Sequence, residues 1–166
     1  MLQRKQRVQS DCPFCHFPHE DMEHIFTCSH FTPSSLRTSL LREFKQWLLS
    51  HHTNDLITTF LCSFLSHWFL HPHSTSQFSS LDGHTAIGFN SQSYLGGYAL
   101  LCGFLSKHIV FIQEQHFKDI GSLRSGSRWA SDTTKQLWDI AFQLWECRCN
   151  NSVSYTHLRA HETRRY

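Results

Sequence analysis

The chain has 166 residues, of which 40% are hydrophobic, 14% aromatic and only 17% charged, with a formal net charge of +2. This composition provides ample material for a core and excludes an intrinsically disordered chain. Its seven cysteines are an odd number, which fits a reducing, intracellular compartment better than a disulfide framework. The first ten residues are polar and no stretch of about 18 uncharged apolar residues occurs, so we expect neither a signal peptide nor a membrane span.

Residues 1–10 form a short basic leader. Its positive side chains belong to Arg4, Lys5 and Arg7. The leader could be a solvated linker, or it could be an arm that contacts the phosphates of a nucleic acid.

Residues 11–31 carry the strongest chemical pattern in the sequence. A C-x2-C pair is followed, after eight residues, by an H-x3-C pair, and both spacings are typical of closed tetrahedral zinc sites. The predicted ligands of Zn²⁺ are Cys12, Cys15, His24 and Cys28. Acidic residues at 20–23 favour a short helix in which positions 24 and 28 share a face. Nearby residues that are less favoured than His24 as ligands are His16, His19 and His30.

The sequence predicts a helical domain at 34–150. After a break at 31–33, Ser34 or Ser35 is the expected cap of a helix over 36–50, whose polar face includes Arg37. A second helix over 55–71, capped by position 53 or 54 and ended by Pro72, has a wide apolar arc and should be central. Residues 73–91 are rich in Ser, Thr, Gly and His without any period, which predicts a loop.

Three further segments complete this domain. Residues 92–104 are apolar, and the paired Gly96 and Gly97 predict a bend or a close helix contact. A helix from 105 to about 120 should end at a glycine, and a last, highly regular helix should cover about 127–147. Arg124 and Arg128 lie in the connection between them and could contact phosphate, although a solvated loop is the simpler interpretation. The predicted fold is all-α, with a small CCHC zinc module followed by a bundle of four or five helices.

The last residues carry a separate signal. Residues 153–163 read VSYTHLRAHET, which resembles the translation of a transposase adapter used in sequencing libraries. We therefore expect 153–166 to be a disordered technical addition. Without it, the chain has twelve basic and twelve acidic residues, so the net positive charge disappears.

Several motifs together resemble the zinc-binding, helical region downstream of the polymerase in non-LTR retrotransposon proteins of protist type. They are the C-P-x-C and E-D-x-E-H-x3-C patterns at 12–28, and AIGF at 86–89, GFLSK at 103–107, RWA at 128–130 and LWDI with LWECR at 137–148. The resemblance implies a non-catalytic segment of a reverse-transcriptase polyprotein. The implied partners are RNA or DNA and the rest of the polyprotein, and we expect no membrane and no small-molecule substrate.

A second hypothesis uses only the composition. A neutral helical domain with a purely structural zinc could bind another protein instead of a nucleic acid. Nothing in the sequence favours an enzyme, since no Y-x-D-D motif, clustered carboxylates or nucleophile–base pair at a useful spacing is present.

Overall fold

The computed structural model describes residues 11–72, 74 and 83–162. Within these residues the chain forms six α-helices and no β-strand, which confirms the all-α prediction. The helices are α1 (Met22–Thr27), α2 (Phe31–Ser50), α3 (Asp55–Leu70), α4 (Gly83–Leu101), α5 (Lys107–Asp119) and α6 (Gly126–Glu162). The first helix belongs to the Cys- and His-rich 11–31 segment, and the other five follow it. None of the helices in the described ranges is both long and apolar enough to cross a membrane.

Several helix ends follow from local chemistry. The Asp21 carboxylate caps α1 by accepting a hydrogen bond from the His24 N–H at 2.7 Å. Asn54 caps α3 in the same way, at one of the two positions that the sequence predicts. Pro72 comes shortly after α3, and Gly121 adopts φ 66° just beyond α5, where a left-handed residue closes a helix.

The start of α2 differs from the prediction. The helix begins at Phe31, so the expected break at 31–33 and the serine cap at 34 or 35 are wrong. Pro33 lies in the first turn, where its missing N–H would have no helical partner, and it therefore does not end the helix. His30 is the cap instead, because its Nδ1 accepts a hydrogen bond from the Thr32 N–H at 3.3 Å.

The predicted loop at 73–91 is wrong in its second half, because α4 begins at Gly83. Position 73 and positions 75–82 lie outside the described residues. Tertiary packing holds the start of α4 despite its lack of an apolar period. A Cβ added to Gly88 would lie 3.2 Å from the Cβ of His108 on α5, and the Phe89 ring stacks on Phe60 of α3 with centroids 4.0 Å apart.

The paired glycines of α4 produce both a bend and a close helix contact, the two features that the sequence predicts as alternatives. Gly96 has φ 85° and ψ 164°, which interrupts the helix with a kink. Gly97 lies so close to α3 that an added Cβ would be 2.3 Å from atoms of the Trp68 ring. The kink thus separates a longer first part of α4 from a short second part that packs tightly against α3.

The last helix is longer than expected. It continues from Gly126 to Glu162, into the segment where the sequence analysis expects disorder. No glycine or proline occurs between 127 and 162, so no residue of that stretch imposes a break. Residues 163–166 lie outside the described part of the chain.

The core centres on α3, as its wide apolar arc predicts. Its neighbours are α1, α2 and α4, while α6 packs against α1, α2, α4 and α5. The buried residues of α3 are Ile57, Thr58, Phe60, Leu61, Phe64, Leu65, Trp68 and Phe69. The 11–31 segment lies against this bundle through α1 and its single buried aromatic residue, Phe26.

Candidate metal centre

The C-x2-C pair is shaped by a tight turn. The Cys12 N–H donates to the Phe17 carbonyl at 2.9 Å, and the His16 N–H donates to the Cys12 carbonyl at 3.0 Å. His16 has φ 60°, a left-handed conformation that reverses the chain after Cys15. This turn directs both cysteine side chains towards α1, which presents His24 and ends directly before Cys28.

The four predicted ligands come together. The ligand atoms of Cys12, Cys15, His24 and Cys28 all lie within 4.8 Å of one another and could hold a metal ion. The Sγ atoms of Cys12 and Cys28 are 3.8 Å apart, and Cys15 Sγ lies 3.2 Å from His24 Nε2. Two sulfurs bound tetrahedrally at about 2.3 Å from zinc are separated by about 3.8 Å, whereas a disulfide needs about 2.05 Å. The sulfur–sulfur spacing therefore fits shared coordination of a metal.

Burial gives the cluster an inner and an outer side. Cys12 and Cys28 are buried, His24 is half-buried and Cys15 is exposed. Burial raises the pKa of Cys12 to about 12, and it also raises the pKa of Cys28. A metal cation among these sulfurs would reverse this effect, since it stabilises thiolates directly.

The other histidines of the segment do not join the cluster. His30 caps α2 and stacks on Phe14, with ring centroids 5.4 Å apart. His16 and His19 are both exposed, and both have positive φ. The His24 ring stacks on Phe17 at 4.5 Å, which helps to fix its orientation towards Cys15.

A buried arginine supports the cluster from α2. The Arg37 guanidinium donates hydrogen bonds to the carbonyls of Phe26, at 3.0 Å, and Cys28, at 2.8 Å. It also lies over the Phe69 ring, 5.4 Å from its centroid. Burial lowers the pKa of Arg37, and the Cys28 thiolate opposes that shift. Its predicted place on the polar face of α2 is wrong, because the residue is only 4% exposed.

An ion pair joins the same module to α6. Glu20, whose side chain is 3% exposed, accepts hydrogen bonds from Nε and Nη2 of Arg148, both at 2.6 Å. The second carboxylate oxygen of Glu20 is buried without a hydrogen-bond partner. Sequence reasoning missed this pair and Arg37, because no local pattern links residues that lie far apart in the chain.

Two of the basic residues proposed for nucleic acid, Arg124 and Arg128, lie away from the metal cluster. Arg124 donates to the His51 carbonyl at 3.3 Å, and Arg128 pairs with Asp132 at 3.2 Å. Both arginines are exposed, and Arg124 lies in the connection between α5 and α6. The predicted place of Arg128 in that connection is wrong, because α6 begins at Gly126 and Arg128 lies in its first turn. The three basic side chains of the leader, at positions 4, 5 and 7, lie outside the described residues.

The cluster is thus a four-residue centre of three sulfurs and one imidazole, linked to the bundle by the buried Arg37 and the partly buried Arg148. Comparison with known proteins returns no match: no protein-family model, no curated protein and no solved structure is similar to this chain.

Proposed function

We propose that this chain is a non-catalytic, zinc-binding segment of a retroelement reverse-transcriptase polyprotein, and that its domain contacts RNA or DNA. The observation that carries the zinc part is the convergence of Cys12, Cys15, His24 and Cys28 within 4.8 Å. The polyprotein and nucleic-acid parts are supported by the sequence motifs that resemble this class of element.

Zinc suits the donor set better than other common ions. Thiolate and imidazole ligands in a tetrahedral arrangement are typical of zinc, while magnesium and calcium take oxygen ligands. Four protein ligands fill a tetrahedral site and leave no open position for water or substrate. Such a site stabilises the fold and does not perform chemistry.

The zinc would connect two parts of the chain. Its ligands come from the turn at 12–15 and from the α1 region, and α1 packs against α3 and α6. Arg37 and the Glu20–Arg148 ion pair link the same module to α2 and α6. The metal would therefore fix the 11–31 segment on the bundle.

The alternative function is a protein-interaction domain with a purely structural zinc. The observation that favours it is an aromatic stripe on α6, formed by Trp138, Phe142 and Trp145. These side chains are about half exposed, and their spacing of four and three residues places them on one helix face. Exposed aromatic residues of this kind are enriched at protein interfaces.

Metal analysis of the purified full chain tests the zinc site. We expect one equivalent of zinc, and its loss in the Cys12→Ser and Cys28→Ser variants. Cys62→Ser is the matched control, since Cys62 lies on α3 outside the cluster and its variant should keep the metal. Retention of zinc in both ligand variants would refute the site.

Binding of labelled single-stranded RNA and DNA to the zinc-loaded full chain tests the nucleic-acid role. Affinity should fall as salt rises, and a triple alanine variant of Arg4, Lys5 and Arg7 should bind more weakly. Lys45→Ala on α2 is a control for a single lost surface charge. A folded, zinc-loaded protein that binds neither nucleic acid would favour the protein-interaction alternative.

A further inference from the structure

A groove of about 570 Å³ opens between the first part of α4 and the start of α5. It is separate from the metal cluster and shares no residue with it. Its lining residues are Ser91, Tyr94, Leu95, Leu105, Ser106, Lys107 and His108. Its volume lies within the range of small-ligand sites, about 300–1,000 Å³.

A buried glutamine supports the α5 side of this groove through its hydrogen bond with Ser106. Gln92 is completely buried, and its amide donates to the Phe104 carbonyl at 3.1 Å and accepts from the Ser106 N–H at 2.8 Å. Both hydrogen bonds hold the turn that leads into α5. The N-terminus of α5 is therefore preorganised, and the N–H groups of its first turn, at Lys107 and His108, have no acceptor within the helix.

Ser106 is the residue that indicates a ligand. It stands at the N-cap position of α5, yet its hydroxyl makes no capping hydrogen bond. Its side chain lines the groove although the residue is only 6% exposed. Within the described chain no hydrogen bond involves this hydroxyl. A hydroxyl on a nearly buried residue that opens on the groove without a partner in the described chain, beside free N–H groups, is suited to a ligand that accepts hydrogen bonds.

The charges at the groove favour an anion. No acidic residue occurs in the first turn of α5 or among the lining residues, whereas Lys107 and His108 are both exposed there. The N-terminus of the helix adds a partial positive charge. Phosphate binds at helix N-termini for these two reasons together.

An aromatic side chain completes the site. Tyr94 lines the groove, two residues before the kink in α4, and is 92% exposed. Packing in the core does not explain an aromatic side chain that is so exposed to solvent. Aromatic rings beside a positively charged groove are platforms on which the bases of single-stranded nucleic acids stack.

We propose that this groove binds one nucleotide of a single-stranded nucleic acid. The phosphate lies at the N-terminus of α5 and accepts hydrogen bonds from the Ser106 hydroxyl and the first-turn N–H groups, with Lys107 as its counter-ion. The base stacks on Tyr94. This site rests on the proposed function, since it specifies where the domain would contact RNA.

Fluorescence anisotropy with a labelled single-stranded RNA of about 16 nucleotides tests the groove in the full, zinc-loaded chain. Tyr94→Ala should weaken binding about fivefold or more, because it removes one stacking platform. Ser106→Asp should weaken it about tenfold or more, since the carboxylate occupies the anion position and repels phosphate. Aspartate is a good N-cap, so this variant should fold at least as well as the native chain.

Phe111→Ala is the matched control, because Phe111 is a half-exposed aromatic residue on α5 that does not line the groove. Its RNA affinity should equal that of the native chain. RNA binding that is unchanged in both groove variants would overturn the groove and leave the proposed function standing. Failure of the native chain to bind either single-stranded RNA or single-stranded DNA would overturn both. Uridine 5′-monophosphate binding as tightly as the RNA would overturn the assignment to a polymer.

Discussion

Replacing Arg37 with methionine tests how much a residue that is not a metal ligand stabilises the metal centre. The guanidinium donates to two carbonyls at the end of α1, those of Phe26 and Cys28, and lies over the Phe69 ring. Hydrogen bonds from a charged donor are worth about 1.5–3 kcal/mol each, and a desolvated cation–π contact is worth about 2 kcal/mol. The lost contacts are worth about 5–8 kcal/mol in total, but methionine fills most of the volume and does not carry the desolvation cost of a buried cation. The net loss should therefore be about 3–4 kcal/mol.

The metal adds a second effect. Zinc with three thiolates and a neutral imidazole carries one net negative charge, and Arg37 provides the opposite charge beside Cys28. The Arg37→Met variant should therefore bind zinc more weakly as well as unfold more easily. Arg37→Lys keeps the charge but not the planar donor pair, so its effect should be intermediate.

Urea unfolding in excess zinc, together with competition against a chromophoric chelator, measures both effects. Arg42→Met is the matched control, because Arg42 lies on the same helix, is exposed and, among the residues that the structure describes, bonds only to the Ser39 hydroxyl. Its unfolding free energy should change by less than about 0.5 kcal/mol. Equal stability and equal zinc affinity in the Arg37→Met and Arg42→Met proteins would refute the reasoning.

Three further perturbations test the centre and the core. At neutral pH zinc must displace protons from Cys12 and Cys28, because the pKa values of both thiols are raised. The affinity for zinc should therefore rise about tenfold per pH unit for each displaced proton, which competition with a chelator would measure. Without metal the pH dependence of stability has the opposite sign. The stability from the neutral Cys12 thiol is present below about pH 8.5 and is lost as the pH rises towards 12, and that from the Cys28 thiol changes in the same direction, which urea unfolding would detect. Arg148→Met should lower the free energy of unfolding by about 3 kcal/mol, because it leaves the Glu20 carboxylate buried without its partner. Adding Glu20→Gln to that variant should restore part of the loss, and additive effects of the two substitutions would contradict the pairing. Gly97→Ala should cost about 1–3 kcal/mol, since the methyl group would meet an indole ring at 2.3 Å, and an unchanged melting temperature would exclude that contact.

The sequence predicts the helices whose signals are local. The Asn54 cap and Pro72 mark α3, and Gly121 marks the end of α5, because each acts within one turn of its own position. The start of α4 could not be predicted in this way, since its residues have no apolar period and are held by contacts with α3 and α5. Pro33 was misleading for a different reason: proline ends a helix only beyond its first turn.

The metal ligands could be predicted for the same reason as the caps. Four ligands within 17 residues form a pattern that a single turn and one short helix can satisfy, and the structure brings all four together. Arg37 and Arg148 could not be predicted as their supports. Arg37 looks like a surface residue in a helical repeat, and the partner of Arg148 is 128 residues away. Only the assembled bundle brings these cations to the module.

The use of cations within the fold determines how RNA binding should respond to salt. Arg37 and Arg148 are engaged inside the protein, and Arg128 pairs with Asp132, so the groove contributes one lysine, Lys107. Each phosphate that a cation neutralises on a single strand contributes about 0.7 to the slope of log affinity against log salt. Lys107→Met should therefore lower that slope by about 0.7, and the triple leader variant should lower it by about 2.

These two slopes separate the groove from the leader. A lower slope in the leader variant alone would mean that the leader makes the electrostatic contact and that the groove binds no phosphate. A change in Lys107→Met alone would assign the contact to the groove and would make the leader a solvated linker. Slopes that stay the same in both variants would contradict both assignments. Since removal of residues 153–166 leaves equal numbers of acidic and basic residues, a large slope cannot come from the net charge and must come from such local contacts.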